Sequence, residues 1–353
     1  MKPALRVVAP GLMTTLQDIG RSGHQHLGIP VSGALDRVSL SAANAIVGNP
    51  PGTGALEIAY QGPTLTVEAD SVRLAYAGGD APIDVLDDAT ATSASRVPPY
   101  QSVRLRRGQV LRIGALSGSV VGYLAVEGGF DVAPVLGSQS TYLRAGLGGF
   151  DGRALRAGDI LPLQRMDADA REERQLPARG AAPPPRIRVV LGPQDDYFSA
   201  RGIRTLLTST YTVSAASDRM GMRLEGPALE HPKGANIVSD GIAPGAIQVP
   251  GNGLPIVLLA DRQTTGGYPK IATVIAADLP ALGRLAPGAG IAFEAVSIEA
   301  AEAAYRQHAS LLAALPRQVV AVRSAVVIDA AALLAANLVS GVVNAQDPRC
   351  EPA

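Results

Sequence analysis

Residues 261–270, DRQTTGGYPK, gather the side chains of a reactive site into one short stretch. Asp261 supplies a carboxylate, Arg262 and Lys270 supply cations, Gln263 an amide, and Thr264, Thr265 and Tyr268 hydroxyls. Gly266 and Gly267 leave backbone N–H groups open to a ligand that approaches closely. This is the set that chemistry at a carbonyl or carboxylate needs: donors aimed at an oxygen where negative charge grows. The stretch lies between the apolar runs 255–260 and 271–275, so it equally fits an ordinary Gly-Gly hairpin with polar tips. Lysine usage bears on the choice. The chain holds 28 Arg but only Lys2, Lys233 and Lys270. An ammonium retained at Lys270 fits a compact point charge or a group with a shifted pKa, although three lysines must fall somewhere.

Other stretches carry weaker signals. In SDRMGMRLEG (217–226), Arg219 and Arg223 are four apart beside Asp218 and Glu225. They could be a surface ion-pair cluster or a fork that binds a substrate carboxylate bidentately. Ser239, Asp240 and Gln248 are polar residues within the strand-like NIVSDGIAPGAIQVP (236–250). His24 and His26 alternate as on one strand face, but no third ligand accompanies them, so no metal site is expected. The chain lacks the Gly-rich phosphate loop, the dinucleotide fingerprint, H-E-x-x-H and C-x-x-C.

The elements that must position these groups are mostly short β-prone runs separated by turn signals. Examples are 56–60, 64–67, 72–76, 110–113 and 122–126. The 39 Gly and 27 Pro fit many tight turns. Helical pattern is confined to 35–47, where Asp36 can cap, to 298–315 and to 329–343. Residues 166–186 are dense in charge and then in proline, which predicts an exposed connector between a domain at 1–165 and another at 187–353. GALEI at 54–58 aligns with GAIQV at 245–249, and Gly62 and Leu65 align with Gly253 and Ile256 at the same offset. Two copies of one β domain are expected.

Composition removes several function classes. The 353 residues carry no net charge and are 47% hydrophobic, 18% charged and 4% aromatic, which argues against nucleic-acid binding. Cys350 is the lone cysteine, so neither a disulfide framework nor a cysteine zinc site is possible. No apolar run of signal-peptide or membrane-span length is present, and a soluble, cytoplasmic protein is expected.

Several segments together carry a family resemblance. They are TTLQDIGRSGHQHLGIPVSGALDRVSLSAANAIVGNP, LGPQDDYF, SDRMGMRLEGP, GAIQVPGNGLPIVLLADRQTTGGYPKIATVIAADLP and NLVSGVV. In this order they span nearly the whole chain, which resembles the KipA-like, or biotin-dependent carboxyltransferase, family. That family includes the C component of 5-oxoprolinase and recurs in urea carboxylase and urea amidolyase. The resemblance implies a mainly β fold of two tandem cyclophilin-like β-barrel domains with a few peripheral and C-terminal helices. It implies a KipI-like partner and, in a 5-oxoprolinase, a LamB/YcsF-type partner as well. The reaction implied is the ATP-dependent opening of the lactam of 5-oxoproline to L-glutamate. The assembled complex would use the ATP, since this chain shows no common ATP motif.

On that resemblance Lys270 stabilises charge on the lactam oxygen or the phosphoryl group, with Asp261 and Arg219 in the catalytic set. Thr264, Thr265, Gly266, Gly267 and Tyr268 line the substrate, Gln248 bonds the ring amide, and Arg219 or Arg223, with Asp218 beside them, holds a carboxylate. DRQTTGGYPK is then a hairpin turn that lines a barrel mouth shared with a partner. Two other readings follow from the family. One is carboxyl transfer from biotin to urea or another amide, with the biotin carried elsewhere because Met1-Lys2 is the only Met-Lys pair here. The other is a non-catalytic antagonist that binds a KipI-like kinase inhibitor.

Overall fold

The computed structural model describes residues 2–88, 90, 91, 93–177, 184 and 186–322. The helix expected over 329–343 and the NLVSGVV segment lie outside these. The described chain is mainly β with four α-helices, α1 (Arg37–Val47), α2 (Ala200–Thr208), α3 (Leu279–Gly283) and α4 (Ile298–Gln318). The expected strands are present: Ala55–Ala59, Thr64–Val67 and Val110–Ile113, with 72–76 inside Ser71–Asp80 and 122–126 inside Ser117–Val126. Thr64–Val67 shows why such runs form strands. Its residues alternate between half-buried and buried, and the two apolar ones, Leu65 and Val67, face the core.

The N-terminal half packs two sheets around one apolar core. One sheet runs in the order Ile160–Pro162, Ala4–Ala9, Thr64–Val67, Val110–Ile113, Ile83–Leu86, Ser95–Arg96. The other runs Met13–Gln17, Ala55–Ala59, Ser117–Val126, Ser71–Asp80, Ser102–Arg106. The C-terminal half closes completely. Seven strands form a barrel in the order Ile187–Leu191, Lys270–Val274, Ala246–Gln248, Ile256–Leu258, Gly221–Glu225, Thr210–Val213, Gly290–Ala295. The barrel's first and last strands pair in parallel, which removes the exposed edge. The repeated segments occupy related strands but differ in pairing. Ala246–Gln248 pairs with Ile256–Leu258, whereas Ala55–Ala59 and Thr64–Val67 lie in different sheets.

Helix α1 starts where its sequence dictates. The Asp36 carboxylate accepts the N–H groups of Val38 and Ser39, at 3.0 and 3.2 Å, satisfying two donors that a helix start leaves open. Its residues from Ser39 to Val47 are all buried, against Ala75, Ala77 and Tyr123 of the five-stranded sheet and Leu315 of α4. Short side chains at Ser41, Ala42, Ala43 and Ala45 let sheet and helix approach from both sides. Leu35 joins this cluster to the barrel core. The halves meet there so closely that a Cβ on Gly283 would sit 2.9 Å from the Cβ of Leu35.

Helix α4 is the long helix expected at 298–315, and it carries the chain from the barrel onto the N-terminal half. Ser297 caps it, accepting from Ala300 N–H at 3.2 Å. Ser297→Ala is expected to lower stability by about 1 kcal/mol, read from the denaturant midpoint. After α4, Val320–Ala321 pairs with Arg174–Gln175. That strand lies inside the segment expected to be an exposed connector, and the difference has a physical cause. Part of the charge in 166–175 is paired with the N-terminal half, Glu173 with Arg73 and Arg171 with Glu127, while Asp167, Asp169, Glu172 and Arg174 are exposed as expected. Arg73 is fully buried between Glu127, at 2.6 Å, and Glu173, at 3.2 Å, and donates to the carbonyls of Asp169 and Arg171.

Candidate functional site

The stretch 261–270 is not a hairpin. Its flanking strands, Ile256–Leu258 and Lys270–Val274, do not pair with each other; each pairs with an opposite side of Ala246–Gln248. The loop therefore crosses over one strand at the barrel rim. On the way, Thr265–Gly266 forms a two-residue ladder with Asp240–Gly241. Barrel closure decides this, because the strand between the two had to come from earlier in the chain.

The crossover assembles one polar cluster. Lys270 begins its strand beside Gln248, at a register shift that adds a residue opposite Ile247 and Gln248. Lys270 and Ile271 are both buried, which strict strand alternation would not allow and a bulge does. Lys270 is 2% exposed, and its Nζ reaches Asp240 Oδ2 at 3.0 Å. Gln194 holds both partners: its Oε1 accepts the Lys270 backbone N–H at 3.1 Å, and its Nε2 donates to Asp240 Oδ2 at 3.3 Å. Gln263 Nε2 donates to Gln248 Oε1 at 3.2 Å. That single bond leaves Gln248 Nε2 and Gln263 Oε1 buried with no partner among the described residues. A buried donor and a buried acceptor held side by side are costly unless something completes them. An amide, with one N–H and one C=O, has the matching set. Gly266 packs against them: a Cβ there would lie 2.6 Å from Gln248 Nε2 and would push that amide out of place.

The Asp240 carboxyl is held below the usual carboxylate range, first by the hydrogen bond from Lys270 and then by the Gly241 N–H. A carboxyl whose pKa is depressed by folding adds stability above its ordinary pKa, and that stability is lost as pH falls through the depressed value. The stability difference between the wild type and Asp240→Asn is thus expected to be constant from pH 5 to 8 and to shrink below about pH 4. Denaturant titrations at stepped pH values read this out, and an unchanged difference at pH 3 contradicts it.

Arg219 and Asp261, expected in the catalytic set, form a separate group that ties the two halves together. Arg219 Nε and Nη2 donate to the two Asp261 carboxylate oxygens at 2.9 and 3.2 Å. Nη2 also donates to the Gly33 carbonyl at 2.7 Å, and Nη1 donates to Glu57. Burial would lower the pKa of the guanidinium, but Glu57 and Asp261 raise it above its ordinary value. The Glu57 carboxylate goes on to accept from Leu35 N–H at 2.9 Å and from the Tyr123 hydroxyl at 2.5 Å. Tyr123 in turn accepts from Asp36 N–H, and Asp36 pairs with Arg284 at 2.6 Å. One buried chain of polar contacts therefore runs from barrel to sheet and back to barrel. Glu57 and Gln248 are the aligned residues of the two repeats, so the same strand position carries the interdomain carboxylate in one half and the site amide in the other.

The remaining sequence candidates scatter. Arg223 is exposed on its barrel strand, and Asp218 is spent on a turn, accepting from Met220 and Gly221 N–H. Thr264 and Gly267 contribute backbone carbonyls to Ile242 and Ile237, Thr265 is exposed, and Tyr268 is 43% exposed beside them. His24 and His26 do not share a strand face: His26 lies in the 3-10 turn Gln25–Leu27 and His24 caps it. Sequence reasoning missed Gln194, Gln263 and Asp240 as a set. The one available signal was LGPQDDYF, whose Gln194 has no apparent use until the strand at Lys270 lies next to it. Among the described residues no helix is long and apolar enough to cross a membrane.

A mainly β chain with a closed barrel and an amide-lined rim now meets its relatives. The sequence model of the family described as carboxyltransferase domain, subdomain A and B, matches residues 27–295. The chain is 39% identical over 298 residues to the C component of 5-oxoprolinase from Escherichia coli K12, covering 84% of this chain and 93% of that protein. It is 33% identical over 319 residues to urea amidolyase of Saccharomyces cerevisiae, covering 84% of this chain but 17% of that one. The crystal structure of the K. lactis urea amidolyase superposes with a TM-score of 0.79 at 30% identity, over 89% of this chain and 20% of that one. The protein belongs to the carboxyltransferase-domain family, whose domain also forms a part of the much longer urea amidolyases.

Proposed function

We propose that this chain is the C component of an ATP-dependent 5-oxoprolinase, working with a KipI-like and a LamB/YcsF-type partner. The observation that carries the proposal is the extent of the match: the chain corresponds to 93% of the E. coli 5-oxoprolinase component and to 17% of a urea amidolyase. The geometry supports an amide substrate. Gln248 Nε2 and Gln263 Oε1 would complete their hydrogen bonds on the C=O and N–H of a lactam. Lys270 would sit where charge grows on the lactam oxygen. Phosphorylation of that oxygen by ATP releases ADP and makes the ring carbon open to water. The C–N bond then breaks to leave an acyl phosphate, which a second water converts to L-glutamate and inorganic phosphate. ATP is assigned to the partner chains, and this chain carries no covalent biotin. The cytoplasm is the compartment that supplies ATP to such a complex.

The test is to purify the tagged chain with its partners from its host and measure ADP release with and without 5-oxoproline. Stimulation that disappears when this chain is omitted supports the assignment. No stimulation, with the KipI-like partner present, overturns it. Carboxyl transfer to urea predicts instead that a biotinylated protein is recovered and that bicarbonate and urea drive ADP release.

A further inference from the structure

A cavity of about 380 Å³ lies where the two halves meet α4. It shares no lining residue with the Lys270 cluster. Most of its wall is apolar, with Leu35, Leu258, Leu259, Leu279 and Leu312 among the lining residues. The polar groups on it are the hydroxyls of Ser22, Ser32 and Tyr305 and three basic side chains. Arg37, Arg262 and His308 line it, and no carboxylate does among the described residues.

Arg262 is the unusual member. It is 2% exposed, yet its only partners among the described residues are two carbonyl oxygens, Ile242 O at 3.2 Å and Leu259 O at 3.4 Å. Its neighbour Asp261 is turned to Arg219 and leaves it unneutralised. Burial pushes the guanidinium down to about 10, which still leaves it charged at neutral pH. A buried charge without a counterion is costly, and buried arginines are ordinarily paired. A second orphan lies on the same wall. Ser32 Oγ is buried with no hydrogen-bond partner among the described residues. Its backbone is held at φ 55°, a left-handed conformation uncommon for serine, by an N–H bond to Ala260 O at 3.1 Å across the halves.

We propose that this interdomain cavity binds a small carboxylate with an apolar body. The carboxylate would accept from Arg262, which has N–H groups free for a planar, two-oxygen acceptor. Ser32 would supply a hydroxyl donor, and the leucines would enclose the hydrocarbon. The volume falls in the range of small-molecule sites, roughly 300–1,000 Å³. The proposal does not depend on the 5-oxoprolinase assignment, because it concerns a different set of residues.

Titrating the full chain by ligand-observed NMR with cyclopentanecarboxylate and with the neutral cyclopentylmethanol tests it. The carboxylate is expected to bind at least tenfold more tightly than the alcohol. Arg262→Met is expected to remove that preference and Lys270→Met to leave it intact. Should Arg262→Met fail to fold, Ala309→Phe decides. Ala309 lines the cavity on α4 and is exposed to it, so the larger side chain fills cavity space without altering charge, and it is expected to weaken carboxylate binding tenfold or more. Equal affinity for the two probes, or carboxylate binding unaffected by Ala309→Phe, overturns the proposal.

Discussion

Arg219→Met lowers the stability of the folded chain by about 3–5 kcal/mol, the expected cost of removing one partner from a buried ion pair. The size follows from what is left behind. Glu57 and Asp261 are 5% and 7% exposed at their side chains and face the same guanidinium. Without Arg219, two carboxylates share a poorly solvated interface, and each must take up a proton or draw in water. Methionine fills part of the space, so the loss is electrostatic rather than a cavity effect. Adding Asp261→Asn to Arg219→Met is expected to recover part of the loss, because one of the stranded charges is then gone. Chemical denaturation of the three proteins measures both effects. A loss below about 1 kcal/mol would place Arg219 among exposed ion pairs, which contribute little. Because the contact joins the halves, the variant is also expected to separate the unfolding of barrel and sheets into two transitions.

Lys270→Met gives the opposite profile: activity falls and the fold persists. Methionine keeps most of the buried stem, and Asp240, 54% exposed at its side chain, is left in contact with water. Stability is therefore expected to change little. In the assembled complex, kcat is expected to drop by about 10²–10³, the range measured when one stabiliser of transition-state charge is removed. Lys270→Arg is expected to fall nearly as far, since a planar fork does not reproduce a point charge held at 2% exposure. Assays of 5-oxoproline-stimulated ADP release with equal amounts of each variant would show it. Full activity in Lys270→Met would remove Lys270 from the chemistry and leave it a buried structural cation.

The sequence by itself determined what local physics controls. Helix α1 and its Asp36 cap, helix α4 and most strands were legible because hydrophobic period, capping residues and Gly/Pro punctuation act over a few positions. The concentration of chemistry in 261–270 was legible for the same reason, and the motifs identified the family. The short helix α2 was not, because Gly202 and Thr205 weaken the helical signal that the Ser199 cap starts. Within the charge run at 166–175, the pairing of Glu173 and Arg171 was not legible because their partners, Arg73 and Glu127, lie far away in the chain.

Only the tertiary structure decided which groups meet. Closing the barrel inserted Ala246–Gln248 between the two strands flanking 261–270, and that turned a hairpin into a crossover. The crossover split one sequence cluster three ways: Asp261 to the interdomain ion pair, Arg262 to the cavity under α4, and Gln263 with Lys270 to the amide-lined rim. Neighbours in sequence diverge because each side chain follows its own strand or turn. Partners such as Glu57 and Arg219, 162 positions apart, meet because the apolar surfaces of the two-sheet half and the barrel are buried together.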